Sequence, residues 1–176
     1  QSSLMHRLKS SSPEDKRRTP VREILSGIYT WSWFSEEKGF NFNGWLILSQ
    51  GGNVMVDPPP LPPEDSAQIE HLGSPRHIVV TNRDHERQVS QYREDYGAET
   101  WMHELDAPLV EVRIAHTFQH GDTLPGGLEA IHIPNNKSPG ESALLLHGAP
   151  NRLILGDALI AHPPGQFNLL PPDKYA

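Results

Sequence analysis

The chain contains no cysteine. Disulfides, thiol nucleophiles and thiolate metal ligands are thereby excluded, and any bound metal would have to rely on histidine and carboxylates. Long apolar runs are also missing: none approaches the ~20 residues of a membrane span, and the N-terminus lacks the apolar stretch of a signal peptide. Basic side chains are the minority, 15 against 22 acidic ones, for a net charge of −7. That balance argues against a nucleic-acid surface. No repeat period, phosphate-cradling glycine loop or serine nucleophile elbow is found. These absences lead us to expect a soluble, cytoplasmic protein that meets neither nucleic acid nor membrane.

What is present suits one domain: 176 residues, 36% of them hydrophobic, enough for an apolar core. Residues 1 to 20, "QSSLMHRLKSSSPEDKRRTP", carry serine, proline and mixed charge without apolar periodicity. They read as a disordered, tag-like tail, and residues 21 to 176 as the domain. From Ile28 the pattern is β-like, with "IYTWSWF" and then "GWLIL", the turn "SQGGN" and "VMV" as a hairpin. Glu64 to Leu72 predicts a short helix stopped by Gly73, "HIVV" a buried strand, His85 to Tyr96 a helix stopped by Gly97 and "ETWMH" another strand. Strand-like pieces follow between 108 and 133, and "SALLLH" and "RLILGD" form a second hairpin. Mixed strands with interspersed helices imply a layered α/β (α+β) fold.

Three apolar strands deliver the chain to a polar residue: Asp57 after "VMV", Asn82 after "IVVT" and Asp157 after "LILG". Strand ends of this kind are where ligand sites gather when they share a sheet. Simpler roles stand beside that reading. Asp84 sits where the N-cap of the following helix belongs, a role worth about 1 kcal/mol. Asn82 and Asp57 could close turns through side-chain to backbone bonds.

The segments "NGWLILSQGGNVMVDP", "IVVTNRDH", "PNNKSPGESALLL" and "LILGDAL" resemble, in order and spacing, the motifs of the metallo-β-lactamase superfamily over about residues 28 to 160. The resemblance implies an αβ/βα sandwich with one or two metals, commonly zinc, between the sheets, and for most members a hydrolase activity. It also implies that the C-terminal part of the domain is missing or truncated here, since the chain stops before the last helix and strand. The motifs are depleted. Where the superfamily carries T-H-x-H-x-D-H, this chain reads Thr81-Asn82-Arg83-Asp84-His85. With a two-residue gap, Asp84 and His85 fall on the terminal pair and Asn82 on the second histidine. Lys137 stands in place of the histidine of the third motif, Asp157 matches the bridging aspartate of the fourth, and the last histidine has no counterpart.

Three carboxylates, Asp57, Asp84 and Asp157, would then crowd one cleft and require a cation. The leading expectation is a metal-dependent hydrolase with at most one metal, zinc before manganese or iron, held by Asp84, His85 and Asp157. Asp57, Asp84 and Lys137 would be its catalytic groups, acting on metal-bound water and substrate. Asn82 and His162 would line the site, the latter on a proline-rich loop over the cleft. The alternative is a metal-free binding or structural module in which the Lys137 ammonium replaces the metal charge. In either case the partner is a small molecule, with homo-oligomer formation as a further expectation.

Overall fold

A computed structural model of the chain describes residues 18–161, 163 and 165–174. Seven strands form the larger sheet in sequential order: β1 Thr19–Leu25, β2 Ile28–Ser35, β3 Phe40–Ile47, β4 Asn53–Val56, β5 Pro75–Val80, β6 Glu99–His103 and β7 His116–Phe118. The first four run antiparallel, and β4 through β7 run parallel. Helices α1, Pro63–Leu72, and α2, Val89–Tyr96, make the crossovers from β4 to β5 and from β5 to β6. A second, antiparallel sheet holds β8 Thr123–Leu124, β9 Leu128–His132, β10 Ser142–Leu146 and β11 Arg152–Ile154 in the order β11-β10-β9-β8.

The short apolar runs read as strands because the larger sheet is covered on both faces. Alternate residues divide between two cores. Met55, Ile78, Val80 and Met102 pack with Ile69 of α1 and with Val89 and Tyr92 of α2. Val54, Val56 and Val79 pack with Leu128, Ala130, Leu144 and Ile154 of the second sheet. Each fully buried Val, Leu, Ile or Met side chain among them contributes about 1.5–3 kcal/mol. The layering is helices, seven strands, four strands. Among the described residues no helix is long and apolar enough to cross a membrane.

Two boundaries differ from expectation. The sheet begins at Thr19, inside the segment expected to be a tail, and Arg18 anchors it by pairing with Glu64 and Asp65 at 2.7 and 2.8 Å. The helix expected from His85 starts only at Val89. Arg83–His85 form a separate 3-10 turn, and Arg87 interrupts the two at φ 31°. Positive φ cannot be continued into a right-handed helix, so the polar run yields a turn and then a helix. Gly97 ends α2 in the left-handed conformation at φ 65°, the backbone that glycine adopts without a Cβ penalty.

Candidate active site at the strand ends

The C-terminal ends of β4 and β5 lie side by side, with Val56 opposite Val79. They bring Asp57 beside Thr81, whose backbone N–H donates to Asp57 Oδ1 at 2.8 Å and whose hydroxyl donates to Oδ2 at 2.6 Å. Asp57 is buried and holds φ 46°, a left-handed conformation tolerated because these bonds determine it from several sides. The next turn places the buried His85 ring between two carboxylates. Its Nδ1 is 3.0 Å from Asp57 Oδ2 and its Nε2 is 3.2 Å from Asp157 Oδ1. Burial alone would lower the imidazole, but the carboxylates outweigh it and raise the group to about 9. Burial likewise works against ionisation of Asp157, yet His85 and Lys137 bring it down to about 2.

Lys137 arrives from the loop before β10. Its ammonium lies 2.6 Å from Asp84 Oδ2 and 3.5 Å from Asp157 Oδ2. Desolvation opposes this charge, and the bond to Asp84 with the Asp157 carboxylate more than compensates, so its pKa is raised. Arg87 completes the group. Its guanidinium donates to the carbonyls of Asn43 and Asp57 at 3.1 and 3.0 Å and stands over the Phe42 ring at 4.4 Å. The five side chains singled out from the sequence, Asp57, Asp84, His85, Lys137 and Asp157, therefore belong to one connected network.

Other assignments change. Asn82, not Asp84, caps the 3-10 turn: its Oδ1 accepts from Asp84 N at 3.0 Å. Asp84 is thereby freed to point at Lys137. Asn82 is fully buried beside the cluster, and its Nδ2 has no hydrogen-bond partner among the described residues. His162 lies outside the described residues.

Some participants went unnoticed in the sequence. Thr81 reads there only as the first residue of the depleted motif, and Arg87 and Glu141 are given no role. Glu141 is fully buried, and its Oε1 accepts from the Asp157 N–H at 2.7 Å. Burial first, and the Asp157 charge second, push its carboxyl up to about 7. Its position immediately before the apolar run "SALLL" was the one available signal. Gly156 lets the backbone pass through this group. A Cβ there would sit 2.5 Å from Glu141 Oε1 and 2.6 Å from Thr81 Oγ1. Gly156→Ala is expected to destabilise by about 1–3 kcal/mol through overpacking, measured by denaturant unfolding; an unchanged midpoint would contradict this packing.

Strand-end carboxylates, a buried histidine from the β5 turn and an aspartate after β11 form the frame for comparison with known proteins. A family model described as the metallo-beta-lactamase superfamily matches residues 24–176. The chain belongs to the metallo-β-lactamase superfamily.

Solved structures share the fold at low identity. BJP-1, a subclass B3 metallo-β-lactamase of Bradyrhizobium japonicum, is 20% identical, with 78% of this chain and 62% of that chain covered at a TM-score of 0.58. DIM-1 metallo-β-lactamase is 14% identical, with coverage of 84% and 74% and a TM-score of 0.67. TTHA1623, solved in a di-iron-bound form, is 24% identical, with coverage of 58% and 60% and a TM-score of 0.50. The chain spans about three fifths of the length of BJP-1. Comparison with curated proteins gave no match.

Superfamily members bind divalent metals, and the donor set can be tested for that role. Asp84, His85 and Asp157 do not converge as ligands in this arrangement: Asp84 and Asp157 face the Lys137 ammonium, and both His85 nitrogens face carboxylates. Among the described residues no group of three or more His, Asp or Glu is placed to hold a metal ion. Charge points the same way. Asp57, Asp84 and Asp157 are paired with His85 and Lys137 without an added ion, and the nearby Arg87 charge is attracted to Asp57 and Asp157. The expected ligand set, as arranged, does not fit a resident divalent metal.

Proposed function

We propose that this chain is a metal-independent member of the superfamily, acting as a small-molecule binding module whose site is organised by an ion cluster. The carrying observation is the Lys137 ammonium, 2.6 Å from Asp84 and 3.5 Å from Asp157, in the position of the shared counter-ion. Lysine supplies a compact charge with three donors, and it holds two carboxylates together as a cation would. The net charge of −7 supports a partner other than nucleic acid.

Elemental analysis of the purified protein tests this. No stoichiometric zinc, manganese or iron is expected, and chelation should leave the melting midpoint unchanged. One metal per chain, with a midpoint that falls on chelation, would overturn the reading, because a ligand bound to the native state adds to its stability. Lys137→His provides the converse test. It removes the ammonium and adds an imidazole beside Asp84, His85 and Asp157, so metal uptake should rise. Unchanged metal content would mean that Lys137 does not stand at the cation position.

A second reading, a metal-dependent hydrolase with one metal, draws on a specific observation. The Asp57 carboxylate at His85 Nδ1 is the kind of partner that orients a ligating histidine, and it leaves Nε2 turned toward Asp157. The same metal analysis separates the two readings.

A further inference from the structure

We infer that Asp106, which has no place in the cluster itself, is the positioning residue that brings Lys137 to Asp84; the inference rests on the ion-cluster reading. Asp106 follows β6 and is fully buried behind the site. Its carboxylate joins two segments distant in sequence. Oδ2 accepts from the backbone N–H of Arg83 at 2.9 Å and from the Ser138 hydroxyl. Oδ1 accepts from the backbone N–H of Gly140 at 2.7 Å. Arg83 opens the 3-10 turn that carries Asp84 and His85, and Ser138 and Gly140 flank the end of the loop that carries Lys137.

The clasp has the features of a built junction. An ionised carboxylate binds such donors about twice as strongly as a neutral acceptor would. Burial makes the arrangement stringent, since no water replaces a donor that is lost and part of the carboxylate would then be left unsatisfied. Gly140 is required for it: a Cβ there would lie 2.7 Å from Asp106 Cγ and 3.0 Å from its backbone nitrogen. A further bond supports the same junction, from the Arg83 guanidinium to the Lys137 carbonyl at 3.4 Å. Lys137 itself is a flexible side chain, one third exposed, facing an Asp84 that is 40% exposed. Such a pair holds one geometry only if its two backbones are held at a set separation. Asp106 supplies that separation.

Competitive amine labelling read by mass spectrometry tests this, with the exposed Lys38 as internal reference. Pairing with Asp84 should slow modification of Lys137 in the wild-type chain, and Asp84→Asn should speed it. Asp106→Asn turns an amide toward donors and is expected to raise Lys137 labelling relative to Lys38 by about three-fold, the scale of a partly exposed ion pair. Combining Asp106→Asn with Asp84→Asn should add nothing further. That non-additivity is what a general loss of stability would not produce. Ser138→Ala, which removes one donor, should give a smaller rise, and it carries the test if Asp106→Asn does not fold. If Asp84→Asn leaves Lys137 labelling unchanged, the ion cluster and this inference both fall. If Asp84→Asn acts but the folded Asp106 and Ser138 variants do not, or if the effects simply add, this inference alone is overturned.

Discussion

Asp57→Ala should cost about 3–5 kcal/mol in denaturant unfolding, the scale expected when one member of a buried charge pair is removed. The substitution deprives His85 Nδ1 of its carboxylate and the Thr81 N–H and hydroxyl of their acceptor. It also places alanine at φ 46°, where a side chain without polar atoms has nothing to offset the left-handed backbone. Asp57→Asn separates these causes. Asparagine tolerates the conformation and can still accept from Thr81 N, so its deficit should be smaller and should represent mainly the lost charge. A cost below about 1 kcal/mol for Asp57→Ala would be inconsistent with a charged His85 in this position.

Stability is expected to fall as the pH rises from 7 to 9, through the titration of the same histidine. Its pKa is raised in the folded protein, from 6.5 to about 9. A raised group contributes stability that is complete below the unfolded value and disappears as pH climbs through the folded one. Linkage puts the amount at about 3 kcal/mol. Glu141, raised from 4.5 to about 7, acts with the same sign at lower pH, its contribution present below 4.5 and gone by about 7. Asp157 acts in the opposite sense: lowered from 3.8 to about 2, it contributes above 3.8 and loses its contribution as pH falls through 2. Urea midpoints measured with chelator across pH 7–9 should therefore decline for the wild type and flatten in His85→Gln. A midpoint constant over that range would show that the buried imidazole is not held protonated.

Much of the fold was legible because its signals are local. The hairpin β3–β4 was marked by its Gly-Gly turn, and the ends of α1 and α2 by Gly73 and Gly97. The error at the start of α2 has a local appearance but a tertiary cause. Nothing in "RDHERQ" reveals that the Arg87 guanidinium is drawn to the Asn43 and Asp57 carbonyls and the Phe42 ring, with its backbone at positive φ. Asp106 was illegible for a similar reason: it lies in an ordinary turn, and only the approach of residues 83 and 138–140 gives it a role.

The order of apolar strands marked Asp57 and Asp157 as strand-end residues, and the resemblance of the motif segments to the superfamily added Asp84, His85 and Lys137 as candidates. Hydrophobic periodicity and turn chemistry act over a few residues, so they survive in a one-dimensional reading. Which cation meets which carboxylate was decided only in three dimensions. An ion pair depends on separations of a few ångströms between segments as far apart as residues 57, 85, 137 and 157, and only the packed sheets establish those distances.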